Sequence, residues 1–268
     1  MGLPLRGRVA LVTGVSRRQG IGYAIAGRLA DMGASVFVQH FAPHDRGQPW
    51  GADDVPSVLA GVGERLVDGA GLGEAESDLA GKDSAEEVVR AATDRFGHLD
   101  ILVCNHARSG GDGDLAVLDA AMLDGHWQVN ARSTLLLTKH FAAQHDGRPG
   151  GRVVWMTSGQ LLGPMRGEVA YAGSKAVLAG LTPTVADELV ERGILLNTVN
   201  PGPVNTGYLD LETTDRDEHV LEKVLASFPL RRFGEPDDPA RLIAWLVSDE
   251  ARWMVGQVLS TEGGFRRW

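Results

Sequence analysis

Short apolar runs alternate with longer helical patterns along the whole chain, and this alternation constrains the fold more than any other feature. The runs typical of buried strands are residues 8–13, 35–39, 74–79, 99–104, 152–157, 195–200 and 257–260. Helical patterns lie between them at 22–32, 84–96, 117–143 and 171–192, and the third is expected to divide at Gly125. Strands that alternate with helices pair in parallel through right-handed crossovers, with helices on both faces. The sequence therefore predicts an α/β fold with a doubly wound parallel sheet, in one domain over residues 1–268.

Composition and charge limit the partners of such a chain. The net charge of −9 argues against nucleic acid or an anionic membrane as the main partner. No apolar run approaches the ~20 residues of a membrane-spanning helix, and no signal-peptide pattern opens the sequence. The one cysteine, Cys104, cannot form an internal disulfide, and nothing in the sequence resembles a metal cluster. We therefore expect a cytoplasmic protein without a metal site.

Two segments interrupt the alternation. Residues 40–54 are rich in Pro and Gly and are predicted to form a long loop after the second strand. Residues 208–230 carry apolar side chains at helical spacing, with charged residues on the other face. Two interpretations of 208–230 stay open: a surface helix packed on the core, or a mobile substrate lid whose apolar face covers a pocket.

A glycine-rich segment, Thr13 to Gly22, lies between the first strand and its helix. In that position Gly14 permits a tight turn, Gly20 lets the backbone approach a pyrophosphate, and Gly22 allows close contact between helix and sheet. The N-terminus of the helix supplies N–H groups and partial positive charge to an anion. The segment therefore predicts a dinucleotide site, although an unusual number of residues, five, separates Gly14 from Gly20.

Tyr171 and Lys175 stand four residues apart and so share one face of a predicted helix. A tyrosine has a pKa near ~10 and is a poor acid or base at neutral pH. A nearby ammonium group stabilises the phenolate and lowers that pKa, which suits the pair to proton transfer. The alternative is a half-buried tyrosine beside a solvated lysine.

Two further polar residues are candidates for the same site. Ser158 follows the fifth strand at the carboxyl end of the sheet, where α/β proteins bind ligands, and its hydroxyl could donate to a substrate oxygen. Asn130 lies inside a long helical pattern, where asparagine is a middling helix former, and it is expected to bend the helix. Each of these residues alone is more often structural.

In order and spacing these residues resemble the short-chain dehydrogenase/reductase family over almost the whole chain. The motifs that carry the resemblance are Thr13-Gly14 with Gly20-Ile21-Gly22, Asp78-Leu79, Asn105, Asn130, Ser158, Tyr171-x-x-x-Lys175, Pro201-Gly202 with Thr206, and Gly256-Gln257 with Glu262-Gly263-Gly264. The resemblance implies a Rossmann-type domain that binds NAD(P) and transfers hydride between the nicotinamide and a carbonyl or secondary alcohol. It also implies a homo-oligomer, either a tetramer or a dimer.

The resemblance implies a role for each candidate residue. Tyr171 would be the general acid–base, and Lys175 would lower its pKa and hydrogen-bond the nicotinamide ribose. Ser158 would hold the carbonyl oxygen, and Asn130 would position a water that connects Lys175 to solvent. The cofactor would contact Gly14, Ser16, Arg17, Arg18, Gly20, Ile21, Gly22, His40, Asp78, Leu79, Asn105, His106, Tyr171, Lys175, Pro201, Gly202, Val204 and Thr206.

The choice between NADP(H) and NAD(H) depends on the end of the second strand. NAD-preferring relatives carry an acidic residue there, and the matching residue here is His40, so no carboxylate is expected to repel a 2′-phosphate. Arg17 and Arg18 add positive charge to the glycine-rich segment from Thr13 to Gly22, called the phosphate loop below. The sequence therefore favours NADP(H), unless both arginines are solvated. His106 is a departure, since the family usually has alanine there, and it is expected to crowd or contact the adenosine.

Three functions stay open. The chain resembles 3-oxoacyl-carrier-protein reductases and reductases of secondary metabolism, which predicts a ketone or an acyl-thioester substrate. The long phosphate loop has the spacing of enoyl reductases, which act on C=C bonds but separate their catalytic Tyr and Lys by six residues and lack a serine like Ser158. A non-catalytic, dinucleotide-sensing regulatory protein is the third function, and the complete set of acid–base residues argues against it.

Overall fold

A computed structural model describes residues 2–214 and 217–266, and within this part seven strands form one parallel sheet. The strands are β1 (Val9–Thr13), β2 (Ser35–His40), β3 (Leu72–Glu76), β4 (Ile101–Cys104), β5 (Gly151–Met156), β6 (Ile194–Asn200) and β7 (Val258–Ser260). Their order across the sheet is β3-β2-β1-β4-β5-β6-β7. The chain therefore changes direction across the sheet after β3, which leaves a switch point between β1 and β4, where open α/β sheets bind ligands.

Helices cover both faces of the sheet. They are α1 (Ile21–Asp31), α2 (Ala42–Arg46), α3 (Val55–Gly63), α4 (Ser84–Phe96), α5 (Ala120–His126), α6 (Ser133–Gln144), α7 (Val169–Val190), α8 (Glu218–Ala226) and α9 (Asp237–Leu246), and a π-helical segment, Trp127–Arg132, joins α5 to α6. One apolar core lies between the sheet and α1, α3 and α9, and the other lies between the sheet and α4, α6 and α7. The predicted α/β fold with a doubly wound parallel sheet is confirmed. Within the described residues, none of the helices combines the length and apolar character that crossing a membrane requires.

The structure differs from the predicted elements on the β3 side of the sheet. β3 begins and ends earlier than the predicted strand at 74–79. Residues 40–54 are not one long loop, because α2 lies within them, and α3, which the sequence analysis does not predict, follows directly. Asp54 starts α3 by accepting a hydrogen bond from the Ser57 N–H at 3.0 Å, and Pro56 in the first turn suits a helix start.

Gly125 does not divide the long helical pattern as predicted. α5 continues through Gly125 and passes directly into the π-helical segment and then into α6. A Cβ at Gly125 would lie 2.5 Å from the Arg108 guanidinium, so the glycine makes room for that side chain. Asn130, where the sequence predicts a bend, lies in the π-helical segment, in which hydrogen bonds span five residues, and the bend itself stays a prediction.

The predicted lid at 208–230 contains α8, while its residues 215–216 lie outside the described part of the chain. Leu221 and Phe228 are 5% and 2% exposed. Three other side chains of the segment border a cleft at the carboxyl edge of the sheet: Tyr208, Leu209 and Val224. The apolar side of this segment therefore packs on the protein next to that cleft, and its movement stays a prediction.

Candidate active site

A cleft of about 1320 Å³ opens at the carboxyl edge of the sheet. Residues that closely follow the strands form its floor: Gly14 after β1, Asn105 after β4, Ser158 after β5 and Pro201 after β6. The same edge contains the switch point between β1 and β4. Since open α/β sheets bind their ligands at this point, the cleft is the candidate active site.

The glycine-rich loop between β1 and α1 has the geometry that a dinucleotide needs. Gly14 has a φ of +73°, and a Cβ there would lie 2.8 Å from His106 Cα. A Cβ at Gly22 would collide with the Gly14 carbonyl oxygen, so only glycine lets α1 start this close to β1. Among the described residues no side chain caps α1, whose first N–H groups remain available to an anion. The loop therefore fits the pyrophosphate of a dinucleotide.

Most of the predicted cofactor residues line this cleft. They are Gly14, Ser16, Arg17, Gly20, Ile21, Asp78, Leu79, Asn105, His106, Tyr171, Lys175, Pro201, Gly202, Val204 and Thr206. Asn105 also holds the phosphate loop, because its amide donates to the carbonyl oxygens of Thr13 at 3.1 Å and Gly14 at 3.2 Å. Direct contact of these residues with a cofactor stays a prediction.

His40 does not lie where the cofactor prediction places it. Its imidazole is buried beside β3, with Nε2 2.8 Å from a carboxylate oxygen of Glu74. Successive side chains of a strand point to opposite faces, and the two neighbours of His40, Gln39 and Phe41, line the cleft instead. The His40 ring is therefore directed away from the predicted cofactor site.

The two arginines of the phosphate loop point in opposite directions. Arg18 lies outside the cleft, contrary to the prediction, and its guanidinium donates to the Ser57 carbonyl oxygen at 2.7 Å. Arg17 lies inside the cleft with 12% of its side chain exposed. Its Nε is 3.2 Å from the Asp45 carboxylate, and its Nη1 donates to the Thr206 carbonyl oxygen at 2.7 Å. Arg17 is therefore the phosphate-loop arginine that lies in the cleft.

A carboxylate that the sequence analysis does not identify, that of Asp45, lies beside the phosphate loop. The residue belongs to α2, is 8% exposed, and accepts a hydrogen bond from the Ser16 hydroxyl in addition to its ion pair with Arg17. The sequence analysis considers only the end of β2, whereas α2 brings the following residues back against the phosphate loop. No spacing pattern in the sequence connects Asp45 with Ser16.

Tyr171 and Ser158 bring two hydroxyl groups together in the cleft. Tyr171 lies in the first turn of α7, and its hydroxyl is hydrogen-bonded to that of Ser158, which follows β5. Burial raises the pKa of Tyr171 to about 12, and the hydrogen bond with Ser158 offsets this effect only in part. The phenol is therefore protonated at neutral pH, and both hydroxyls can bond one oxygen atom of a ligand.

Lys175 lies one turn along α7 from Tyr171. Its Nζ is 5.9 Å from the centroid of the Tyr171 ring and donates to the Met156 carbonyl oxygen at 2.9 Å. Burial lowers the pKa of Lys175 to about 8. The pKa of Tyr171 is raised rather than lowered as predicted, because burial of the phenol outweighs any effect of the ammonium, whose Nζ bonds the end of β5.

Asn130, predicted to be catalytic, lies behind the cleft and is fully buried. Its Oδ1 accepts a hydrogen bond from the Arg108 N–H at 2.7 Å, and its amide donates to the Arg108 carbonyl oxygen at 3.1 Å and to Ser174 Oγ at 2.9 Å. Both amide hydrogens are thus bonded to protein groups. The side chain holds the segment after β4 against α7, beside Lys175, and the water relay stays a prediction.

Two residues that the sequence analysis does not single out lie behind Tyr171. Asp112 accepts hydrogen bonds from the N–H groups of Ala170 at 3.1 Å and Tyr171 at 2.7 Å, and so caps α7. Burial opposes ionisation of Asp112, but hydrogen bonds from backbone N–H groups outweigh it and hold the pKa below its usual value. The His126 ring packs edge-on against the Tyr171 ring, with centroids 6.0 Å apart. These contacts orient the tyrosine.

Comparisons with known proteins agree with this geometry. A family model described as Enoyl-(Acyl carrier protein) reductase matches residues 14–266. The uncharacterized oxidoreductase YjdA of Bacillus subtilis is 37% identical over 262 residues, which cover 97% of each chain. The 3-oxoacyl-[acyl-carrier-protein] reductase FabG of Staphylococcus epidermidis is 31% identical over 257 residues, 95% of this chain and 97% of that protein.

A solved structure shares the fold over the whole length. A short chain dehydrogenase from Burkholderia cenocepacia in complex with NADP has a TM-score of 0.82 and 32% sequence identity, covering 97% of this chain and 98% of its own. The family model and both relatives likewise extend along almost the entire chain. The chain therefore belongs to the short-chain dehydrogenase/reductase family, whose NAD(P)-dependent enzymes act on carbonyl and alcohol groups.

Proposed function

We propose that this protein reduces ketones, 3-oxoacyl thioesters among them, with NADPH, and that Tyr171, Ser158 and Lys175 perform the chemistry. The observation that carries the proposal is the convergence of the Tyr171 and Ser158 hydroxyls in the cleft, with the Lys175 ammonium one helical turn away. A carbonyl oxygen at these hydroxyls would receive two hydrogen bonds as negative charge develops on it. The similarity to a 3-oxoacyl-[acyl-carrier-protein] reductase supports the thioester as substrate.

The protein's part in this reaction is to supply and stabilise a proton donor. When bound, the nicotinamide supplies the hydride for the carbonyl carbon. Tyr171 is protonated at neutral pH, since its pKa is about 12, and donates its hydroxyl proton to the carbonyl oxygen while Ser158 holds that oxygen. The Lys175 ammonium, 5.9 Å from the ring, stabilises the phenolate that remains. Reduction is therefore the direction for which the phenol already carries the required proton.

Enoyl reduction is the second candidate function. The five residues between Gly14 and Gly20 and the description of the matching family model both favour it. Enoyl reductases, however, separate their catalytic Tyr and Lys by six residues and lack a serine like Ser158. Here the spacing is four, and the hydroxyl of Ser158 is hydrogen-bonded to that of Tyr171. The site therefore supports carbonyl reduction better than reduction of a C=C bond.

The preference for NADPH is proposed on the position of Arg17. Its guanidinium lies in the cleft beside the phosphate loop, and arginine matches the geometry of phosphate groups. Asp45 offsets part of this charge, so the preference depends on both members of the ion pair rather than on His40 or Arg18. The NADP in the complex of the Burkholderia relative supports the same cofactor.

Turnover by the purified protein tests the proposed function. Acetoacetyl and crotonyl thioesters and a panel of ketones are offered with NADPH and with NADH. We expect NADPH-dependent reduction of the acetoacetyl thioester and its loss in Tyr171→Phe. Reduction of the crotonyl thioester in place of all ketones would overturn the proposal in favour of the enoyl alternative. Binding of NADPH without turnover of any substrate would favour the dinucleotide-sensing regulator.

We also propose that residues 1–268 act as one catalytic domain, in a cytoplasmic homo-oligomer. Strands from both ends of the chain, β1 and β7, belong to one sheet, which supports the single domain. Large apolar side chains are exposed along one stretch of chain, at Leu115, Val117, Leu123 and Trp127, and such exposure supports contact with a second copy. Light scattering of the purified protein measures the assembly, and a monomer at micromolar concentration would contradict it.

A further inference from the structure

His106 stands where the family usually has alanine, and its side chain fills the space between β1 and the π-helical segment. The residue is 7% exposed. Its Nδ1 lies 2.7 Å from the Thr13 hydroxyl at the end of β1. Its Nε2 lies 3.0 Å from the Val129 carbonyl oxygen and 2.7 Å from the Ser133 hydroxyl. Both ring nitrogens are therefore bonded to protein groups, and the ring lies between β1 and the π-helical segment.

These partners define the protonation state of the ring. A carbonyl oxygen only accepts hydrogen bonds, so Nε2 carries the hydrogen, which it shares between the Val129 carbonyl oxygen and the Ser133 hydroxyl oxygen, while Nδ1 accepts from the Thr13 hydroxyl. Burial, and after it the charge of Lys175, lowers the pKa of His106 to about 3. At physiological pH the imidazole is therefore a neutral bridge between β1 and the π-helical segment.

The bridge ends on the residue directly before Asn130. Val129 is tied through His106 to β1, from which the phosphate loop starts. Asn130 is tied to Ser174 of α7, the residue before Lys175. The π-helical segment that contains both is wider than an α-helical turn, and such segments are frequent at functional sites. The side of the cleft formed by β1 and the phosphate loop is thus connected to the side formed by α7 through two consecutive residues, Val129 and Asn130.

We propose that His106 is a positioning residue for Asn130. It holds the π-helical segment against the start of the phosphate loop, so that the Asn130 amide meets α7 beside Lys175. This inference rests on the proposed carbonyl reduction, because it expects an effect on turnover through Lys175. A displacement of ~1 Å at a positioned group can cost ~100-fold in rate, so the smaller shift expected on loss of the bridge should lower kcat ~10-fold.

Substitutions of matched size test the bridge. His106→Gln can place an amide N–H near the position of Nε2 and keep the hydrogen bond to Val129, whereas His106→Asn is too short to reach it. We expect His106→Gln to retain at least about half of the wild-type kcat and His106→Asn to lose ~10-fold, with the Kd for NADPH within ~3-fold in both. Thr138→Val is the control, because it removes a buried hydrogen bond of α6 to the Trp155 indole and should lower Tm without lowering kcat.

A double substitution tests the route of the effect. Because the bridge acts through Asn130, His106→Asn should lower kcat no further in an Asn130→Ala background. If the losses in kcat of the two single variants multiply in the double variant, the inference is overturned. A kcat for His106→Asn equal to that of Thr138→Val would also overturn it. An Asn130→Ala variant with the wild-type kcat would overturn it as well.

Hydrogen exchange separates this inference from the proposed function. The amides of residues 127–132 should exchange faster in His106→Asn than in the wild type, and His106→Gln should restore their protection. If the wild type reduces no carbonyl while exchange changes in this way, the proposed function fails and the bridge stands. Unchanged exchange in His106→Asn would refute the bridge whatever the activity.

Discussion

Acidification is expected to destabilise the protein through His106. The ring has a pKa of about 3 in the folded protein and an ordinary value of 6.5 when unfolded. Between these two values the unfolded chain binds a proton that the folded ring does not bind. The free energy of unfolding is therefore highest above pH 6.5 and falls as the pH falls through this window. Between pH 7 and pH 5 the loss that His106 causes amounts to about 2 kcal/mol.

Urea unfolding of the wild type and of His106→Gln at both pH values measures this loss. Glutamine takes up no proton, so the free energy of unfolding should fall by about 2 kcal/mol less in the variant. Burial also lowers the pKa values of His126 and His145, but both residues are present in the two proteins and cancel in the difference. Equal losses in the two proteins would refute the conclusion that the ring is held neutral between Thr13 and Val129.

Three further predictions concern the cleft. Tyr171→Phe removes the proton donor and keeps the ring, so kcat should fall ~10²–10⁴-fold at near-normal NADPH affinity. Lys175→Ala should lower both kcat and NADPH affinity. Steady-state kinetics and fluorescence titration measure these two quantities, and an active Tyr171→Phe variant would refute the assignment of Tyr171 as proton donor. Arg17→Ala should lower kcat/KM for NADPH ~10-fold, and Arg18→Ala, the matched control, should leave it unchanged; equal effects would contradict the different directions of the two side chains. The amides of the 208–230 segment should exchange faster than those of the sheet and slow when cofactor and substrate bind, whereas equal protection in both states would favour a static helix.

The fold could be predicted from the sequence because most elements carry local signals. α4 is predicted with both ends correct, since Gly97, with a φ of +82°, ends it in the left-handed conformation that favours glycine. β3 is predicted too late in the chain, because it has half-buried and exposed side chains and lacks an apolar run. A strand is recognised in a sequence by the apolar residues of its buried face. An edge strand that buries little surface therefore gives only a weak sequence signal.

Side-chain direction could not be predicted in the same way. Arg17 and Arg18 are adjacent in one loop, yet one enters the cleft and the other leaves it. Arg17 is bonded to Asp45 and to the Thr206 carbonyl oxygen. Arg18 is bonded to the Ser57 carbonyl oxygen. All three partners come from distant segments of the chain. A loop residue takes the direction in which its partner lies, and the sequence of the loop does not contain that partner.

The placement of Tyr171 illustrates the same division between local and distant information. Its spacing from Lys175 is local, and one helix is enough to bring both groups to one face. The start of that helix is not local, because the cap comes from Asp112, 59 residues earlier, which bonds the N–H of Tyr171 itself. A cap is worth ~1 kcal/mol, and any acceptor from any segment that reaches the same N–H groups can supply it. The residue types that perform chemistry are therefore recognisable in a single sequence, whereas the residues that orient them become visible only when the chain is folded.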